Sequence, residues 1–459
     1  MAIVDRIPSI ASARYAVIFI LAPAALLSLA CSPQRRVREL LSAKTGVVRL
    51  PAGTIALDSG IALPDGAHDL TITGNSTTLR ASNSFHGAAI LSCHNCRRIT
   101  VRGLSIDGNR SRLERPVGLP PSDRTFASFY SNNGLLFTDS GEITIANVVF
   151  REIPSFAILA SNAHGVNIDH VGIFNSGSNS SKGHNNTTGG ILLEEGTTDF
   201  DIRRCVLHSI RGNGIWTHSR QVRNADGAIA GNTVREVGRD AIQVGHAIRV
   251  QVVGNHGRRI GYPVSEIDVE SQATPVGIDT AGNVDASIYQ GNRFDEVNGK
   301  CIDLDGFHDG TVSYNVCSNR GQAEDYPWGQ FGIVMNNSNS GMESRKIAIE
   351  GNSILGAKFG GIFVIGSGNI VRGNNLDRID LAHCPDHAAR FGCSYPAQPG
   401  VLESGIYLGS RGERPAPARG NIVEKNIIRG WRMKTQCIGF APGVRAADNT
   451  IRENECSDE

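Results

Sequence analysis

The chain has 459 residues, with 45 basic and 44 acidic side chains and a formal charge of +1. That balance argues against nucleic acid as a general partner, which would demand a basic face. Aromatic residues make up only 6% while glycine reaches 53 residues, a composition suited to a bend-rich fold with an aliphatic core.

Residues 1–31 are set apart from the fold. Arg6 and Arg14 precede an apolar run from Ala16 to Ala30, too short to span a membrane comfortably and ordinary for a secretory signal. Leu27-Ser28-Leu29-Ala30-Cys31 is similar to a bacterial lipoprotein cleavage box, with Ser28 where a larger aliphatic is usual. Three outcomes stay open: membrane attachment through a lipidated Cys31, plain secretion, or a retained single anchor. All three make the chain extracytoplasmic, whether secreted, periplasmic or lipid-anchored at the cell envelope. Residues 32–46 read as a short linker, and one folded domain is expected over 47–459.

That domain is built on two short recurring motifs. One is an apolar pair after a small residue: Gly214-Ile215-Trp216-Thr217, Ala241-Ile242-Gln243-Val244, Gly277-Ile278-Asp279-Thr280 and Cys301-Ile302-Asp303-Leu304. It continues as Gly332-Ile333-Val334-Met335, Gly361-Ile362-Phe363-Val364 and Gly405-Ile406-Tyr407-Leu408. The other is Gly-Asn or a variant, with asparagines at Asn147, Asn232, Asn255, Asn292, Asn315, Asn352, Asn374, Asn426 and Asn449. Several steps are 22 or 23 residues, as from 232 to 255, 292 to 315, 352 to 374 and 426 to 449. Such a period is too short for paired-helix repeats and signals a solenoid. Within the motifs apolar residues alternate with period two, which reads as strand. One period holds three short strands and three bends, and stacked periods satisfy one another's backbone groups. The asparagine fits a tight bend, where it tolerates left-handed geometry and bonds neighbouring backbone. In register, these asparagines would form an internal ladder.

Over roughly residues 47–456 the pattern resembles the right-handed parallel β-helix of the pectate-lyase-like superfamily. Val48-Arg49-Leu50-Pro51-Ala52-Gly53-Thr54 is similar to the segment that opens many of its members. The resemblance implies an all-β solenoid of about a dozen turns. It says little about chemistry, because one fold hosts many functions.

Insertions lengthen the repeat unevenly. The asparagine step grows to 37 residues from 255 to 292 and from 315 to 352, and to 52 from 374 to 426. The extra segments are approximately 107–132, 175–189, 259–276, 320–330 and 378–404, mostly between an asparagine motif and the next Gly-Ile motif. Insertions at one phase of a solenoid emerge on one side. The last three are expected to share a flank and to border the strands of Asp279 and Asp303.

Alternation also assigns sides. With Ile302 and Leu304 inside, Asp303 and Asp305 point out. The same phase places Glu194, Trp216, His218, Gln243, Asp279, Asn336 and Tyr407 outside. Aspartate is disfavoured in strands, and like charges on adjacent strands repel. Asp279, Asp303 and Asp305 therefore call for a cation, a bound proton or a basic neighbour. Lys300, His218, His246, His308 and Arg320 are within sequence reach. Trp216 and Tyr407 are candidates for stacking on sugar rings, with Gln243, Asn336 and Arg320 as further substrate contacts. Glu194-Glu195 reads as a rim charge. Asp268 and Glu270 in the 259–276 loop, and His184 and His387 in other loops, read as solvated.

The three aspartates resemble the arrangement of polygalacturonase-type hydrolases, which implies a carbohydrate-facing groove and a uronate-containing polysaccharide as partner. The adjacent Asp-Asp pair, Gly-His-Gly and Arg-x-Lys of that family are missing at the matching places, and Asp303-Leu304-Asp305 is Asp-x-Asp instead. Three functions stay open. A hydrolase would use the carboxylates as acid and base. A lyase would use them to hold Ca²⁺, with Lys300 or His218 as base. A non-catalytic β-helix would display a glycan-binding or structural face.

Without Cys31 nine cysteines remain, and pairs are expected in an exported protein. Cys384 with Cys393, and Cys437 with Cys456, are the best candidate bridges. Cys93-His94-Asn95-Cys96 has zinc-like spacing but no second ligand pair. Cys205 occupies an asparagine position and is expected to be buried.

Overall fold

A computed structural model describes residues 32–459 except 117, 186, 268–273 and 385. The signal segment, Cys31, Asp268 and Glu270 lie outside the described residues.

The isoleucines of the Gly-Ile motif stand directly above one another. Ile158, Ile191, Ile215, Ile242, Ile278, Ile302, Ile333, Ile362 and Ile406 pair in sequence along one parallel sheet. All are fully buried. β-Branched side chains pack well on a pleated surface, and each fully buried isoleucine contributes about 1.5–3 kcal/mol. Each rung adds two more strands, which pair in parallel with their equivalents above and below, as Ile229 with Val252 and Val234 with Gly257. About a dozen rungs stack into one coil with a continuous aliphatic core.

Residues 32–46 are not a linker. Pro33–Leu40 is an α-helix. Its Val37, together with Leu41, is buried in the core cluster that also holds Ile55 and Leu57. Arg38 ties it down by donating to the carbonyls of Ser59 and Gly60 at 2.5 and 3.0 Å. The i, i+4 spacing of Val37 and Leu41 is the sequence signal for this cover.

The asparagine ladder exists, but the residue before each asparagine supplies the bend. Gly231, Gly254, Gly291, Gly351 and Gly373 have φ between 61° and 64°. The asparagine that follows is buried. The side-chain oxygen of Asn255 accepts from both the backbone N–H and the amide of Asn232, at 3.0 Å each. Asn292, Asn315, Asn352, Asn374, Asn426 and Asn454 repeat this, each for the asparagine one rung earlier. Asn147 is not in the ladder. It has φ 54° and stands in the glycine's place. Asn449 belongs to a second ladder at another bend, with Asn369 and Asn421. Cys205 starts the main ladder, receiving the Asn232 oxygen on its backbone N–H at 2.9 Å. It is a free thiol, and burial pushes its pKa up to about 12.

Cys384–Cys393 and Cys437–Cys456 are bridged as expected. Cys93 and Cys96 also form a disulfide, which disposes of the zinc-like reading. A fourth bridge, Cys301–Cys317, joins two faces of one rung across the core. Replacing both of its cysteines with alanine is expected to lower unfolding free energy by about 2–4 kcal/mol. Urea unfolding of the oxidised proteins measures this.

Candidate active site

The outward positions of the Gly-Ile sheet form a column in strict register: Trp216, Gln243, Asp279, Asp303, Val334, Phe363 and Tyr407. Adjacent members sit about 4.8 Å apart along the coil. Asp279 and Asp303 are therefore direct neighbours, as alternation predicts. Asp305, two residues on, pairs with Ala281 and Asn336.

The carboxylates do not share one environment. Asp303 is ion-paired through Oδ2 to Lys300. Its other oxygen, Oδ1, is buried without a hydrogen-bond partner. Asp279 keeps part of its surface open, and its Oδ2 accepts from the Gln243 amide at 2.6 Å. Burial holds the Asp279 carboxyl well above the usual range, helped by the charges of Asp240 and Asp303. Burial is the largest influence on Lys300 and would lower its pKa, but the charge and hydrogen bond of Asp303 together with the charges of Asp279 and Asp305 outweigh it and raise the pKa. Asp305 is bound by Ser338, whose N–H and hydroxyl donate at 2.7 and 2.5 Å. Burial raises its pKa even so.

Two further residues complete the network. Asp240 is buried and accepts from the Val276 N–H at 3.1 Å. Burial first, opposed by Arg239 and reinforced by Asp303, brings its pKa up to about 6. Asn213 donates to the Gln243 side-chain oxygen at 2.8 Å and so orients the amide that faces Asp279. The signal for Asp240 was its place directly before Ala241-Ile242, the phase that Lys300 holds before Cys301-Ile302. Arg239 beside it has a buried Nε with no partner.

Other expected site residues lie elsewhere. Trp216 is no sugar platform. It is buried under Phe126, with ring centroids 4.9 Å apart. His218 lies beneath the same ring at 5.2 Å. Two rungs, represented by Gly245 and Ala281, separate it from Asp305, about 14 Å along the coil. Burial drives its pKa down to about 4, aided by the charges of His246 and Arg220. Tyr407 is also buried, and its hydroxyl donates to the Pro399 carbonyl at 2.9 Å. Arg320 is exposed and meets Glu296 through its backbone N–H, away from the acids. Glu194 is not a rim charge: it caps the short Phe126–Phe129 helix, accepting from the N–H groups of Phe126 and Ala127 at 2.9 and 2.7 Å. Asn336 does border the groove, and its side-chain oxygen accepts from the Glu413 N–H at 3.1 Å.

The three aspartates each have a different partner. Asp279 engages Gln243, Asp305 engages Ser338, and Asp303 pairs with the Lys300 ammonium. Among the described residues no three His, Cys, Asp or Glu side chains converge as a metal-holding group.

The insertions do wall this column on one flank, touching in sequence order. Asn179 of the second loop donates its N–H to Glu114 of the first at 2.8 Å. The Asn185 N–H reaches the Glu266 carbonyl at 2.6 Å. Tyr262 donates to the Asp325 carbonyl at 3.3 Å, and Arg390 pairs with Glu324. Between the acids and the last loop lies a cleft of about 430 Å³ lined by Lys300, Phe331, Val334, Asn336, Phe363 and Tyr395, among others.

A family model described as "Right handed beta helix region" matches residues 181–376. Among solved structures, the surface adhesin PfbA of Streptococcus pneumoniae is similar over 74% of this chain and 91% of its own, at 16% identity and a TM-score of 0.55. The catalytic domain of a GH87 α-1,3-glucanase, in complex with tetrasaccharides, covers 93% of this chain and 68% of its own, at 13% identity and a TM-score of 0.51. A tailspike protein of E. coli bacteriophage HK620, in complex with a pentasaccharide, covers 89% and 73%, at 11% identity and a TM-score of 0.50. No curated protein matches the sequence. At these identities the similarity fixes the fold and leaves the chemistry to the residues.

Proposed function

Because the chain is a right-handed parallel β-helix protein, we propose that its outer column is the active site of a glycoside hydrolase acting on an acidic polysaccharide outside the cytoplasm. The observation that carries this reading is the unlike pair Asp279 and Asp303. One carboxyl has its pKa raised by burial and neighbouring charge. The other is ion-paired and has a free, buried oxygen. Neighbouring carboxyls in unlike environments take the separate roles of acid and base.

Asp279 gives its proton to the glycosidic oxygen as the C1–O bond breaks. Asp303 takes a proton from water, whose oxygen bonds to C1. Lys300 fixes Asp303, while Asp240 keeps negative charge near Asp279. Elimination is the poorer fit. Lys300 is held protonated, and His218, neutral near pH 7, lies too far from the acids to be the base. Arg239, whose charge acts on Asp240, would supply a cation for a uronate carboxylate. Four disulfides among the described residues support an oxidising compartment.

The test is incubation with a panel of uronate-containing and neutral polysaccharides, reading reducing ends and absorbance at about 235 nm for unsaturated product. Reducing ends without unsaturation are expected. Unsaturated product would establish a lyase, and silence at both readouts would leave a binding or structural protein.

The pH profile adds a signed prediction. Catalysis needs Asp279 protonated, so kcat/KM falls as pH rises through its raised pKa. The Gln243 hydrogen bond lowers that pKa. Gln243→Leu is therefore expected to move the alkaline limb to higher pH.

A further inference from the structure

The groove over the carboxylates is bridged at both ends. On one side, residues 107–132 leave the wall flank and cross the sheet. Phe126 and Tyr130 pack over Leu159, Leu192 and Trp216. Arg220, in the bend on the far side of the sheet, holds this loop by donating to the carbonyls of Pro121 and Arg124 at 2.6 Å each. On the other side, Gln398 joins the wall loop to residues that follow the strand Ile406–Leu408. Its amide donates to the Arg411 carbonyl at 2.9 Å, and its oxygen accepts from the Ser410 N–H at 2.8 Å. Gln398 is itself buried, and Tyr407 lies covered beneath this bridge.

The floor left between the bridges runs from Gln243 through Asp279, Asp303 and Val334 to Phe363, four strand steps or about 19 Å. From Asp303 to Phe363 it measures about 10 Å, room for one or two pyranose rings. Beyond Gln243, on the opposite side, Phe126 blocks the way. A polysaccharide bound along the coil by its interior would have to pass through both bridges.

We propose that the site takes the end of a glycan chain and releases units of one or two sugars. This rests on the hydrolase reading above. The terminal rings seat between the carboxylates and the Gln398 bridge, and the rest of the chain leaves the groove over the part-exposed Asp279. Phe331, Phe363 and Tyr395 line the terminal seat with apolar surface that suits ring faces.

The test uses the full mature protein and ladders of homogalacturonan, alginate, hyaluronan and β-glucan oligosaccharides, labelled at the reducing end, beside the parent polymers. Asp303→Asn serves as the inactive control. The expected result from the first time point is either a labelled ladder that shortens by one or two units, for attack at the non-reducing end, or labelled mono- or disaccharide, for attack at the reducing end, with polymer viscosity unchanged. Gln398→Ala, checked for an unchanged circular dichroism spectrum, is expected to add fragments of several units. Long fragments and an early viscosity loss from the unmodified protein would overturn end-of-chain action and leave the hydrolase standing. No cleavage of any probe beyond the Asp303→Asn control would overturn both.

Discussion

Asp303→Asn is expected to reduce kcat by about 10²–10⁴-fold, the range for loss of a general base. Asparagine keeps the shape and removes the acceptor charge. Asp279→Asn should cost a similar factor on natural glycans but far less on an aryl glycoside whose leaving group needs no proton. Asp303→Asn should not be rescued that way. The contrast between the two variants separates base from acid, and equal rescue of both would sink the assignment. The Asp303 variant also leaves the Lys300 ammonium part-buried without its partner. A loss of stability is therefore expected beside the loss of rate, and the kinetics are to be measured well below the melting temperature.

Asn315→Ala is expected to be the most damaging change outside the site. The Asn315 oxygen accepts two bonds from Asn292, and its amide donates to Asn352 and to the Tyr289 carbonyl. Truncation leaves buried donors and acceptors without partners, each costing about 1–3 kcal/mol. Urea unfolding should show a loss of about 4–6 kcal/mol in all. Asn147→Gly is the control, since Asn147 occupies a left-handed bend that glycine adopts freely. It should be neutral or slightly stabilising. Similar losses in the two variants would show that the ladder contributes nothing special.

The coil was legible because its signal is repetitive. One isoleucine per rung, alternating with outward residues, fixes both the register and the outer face. That is why Asp279, Asp303 and Asp305 could be placed from sequence. What lies on top of that face could not be read. Trp216 and Tyr407 point outward as alternation requires, yet Phe126 and Pro399 cover them, and those come from loops with no period of their own. Asp240 escaped because it sits at the bend, before alternation begins. Asn147 and Asn315 look alike in sequence because both sit at the same kind of turn, Asn147 as its left-handed residue and Asn315 directly after one. Only the neighbouring rung distinguishes a bend residue from a ladder residue. The Cys301–Cys317 bridge was hidden for a related reason: its partners lie on different faces of one rung.

The way the wall is fastened has a consequence for how such proteins diversify. The rungs are bound to one another by strand pairing and the asparagine ladder. The insertions are bound to neighbouring insertions as well as to the rungs beneath, through contacts such as Asn179 to Glu114, Tyr262 to Asp325 and Arg390 to Glu324. Shortening the segment that carries Gln398 would unroof one end of the groove and leave Asp279 and Asp303 where they are. A cutter of chain ends and a cutter of chain interiors would then differ by a few residues of loop, on an unchanged scaffold.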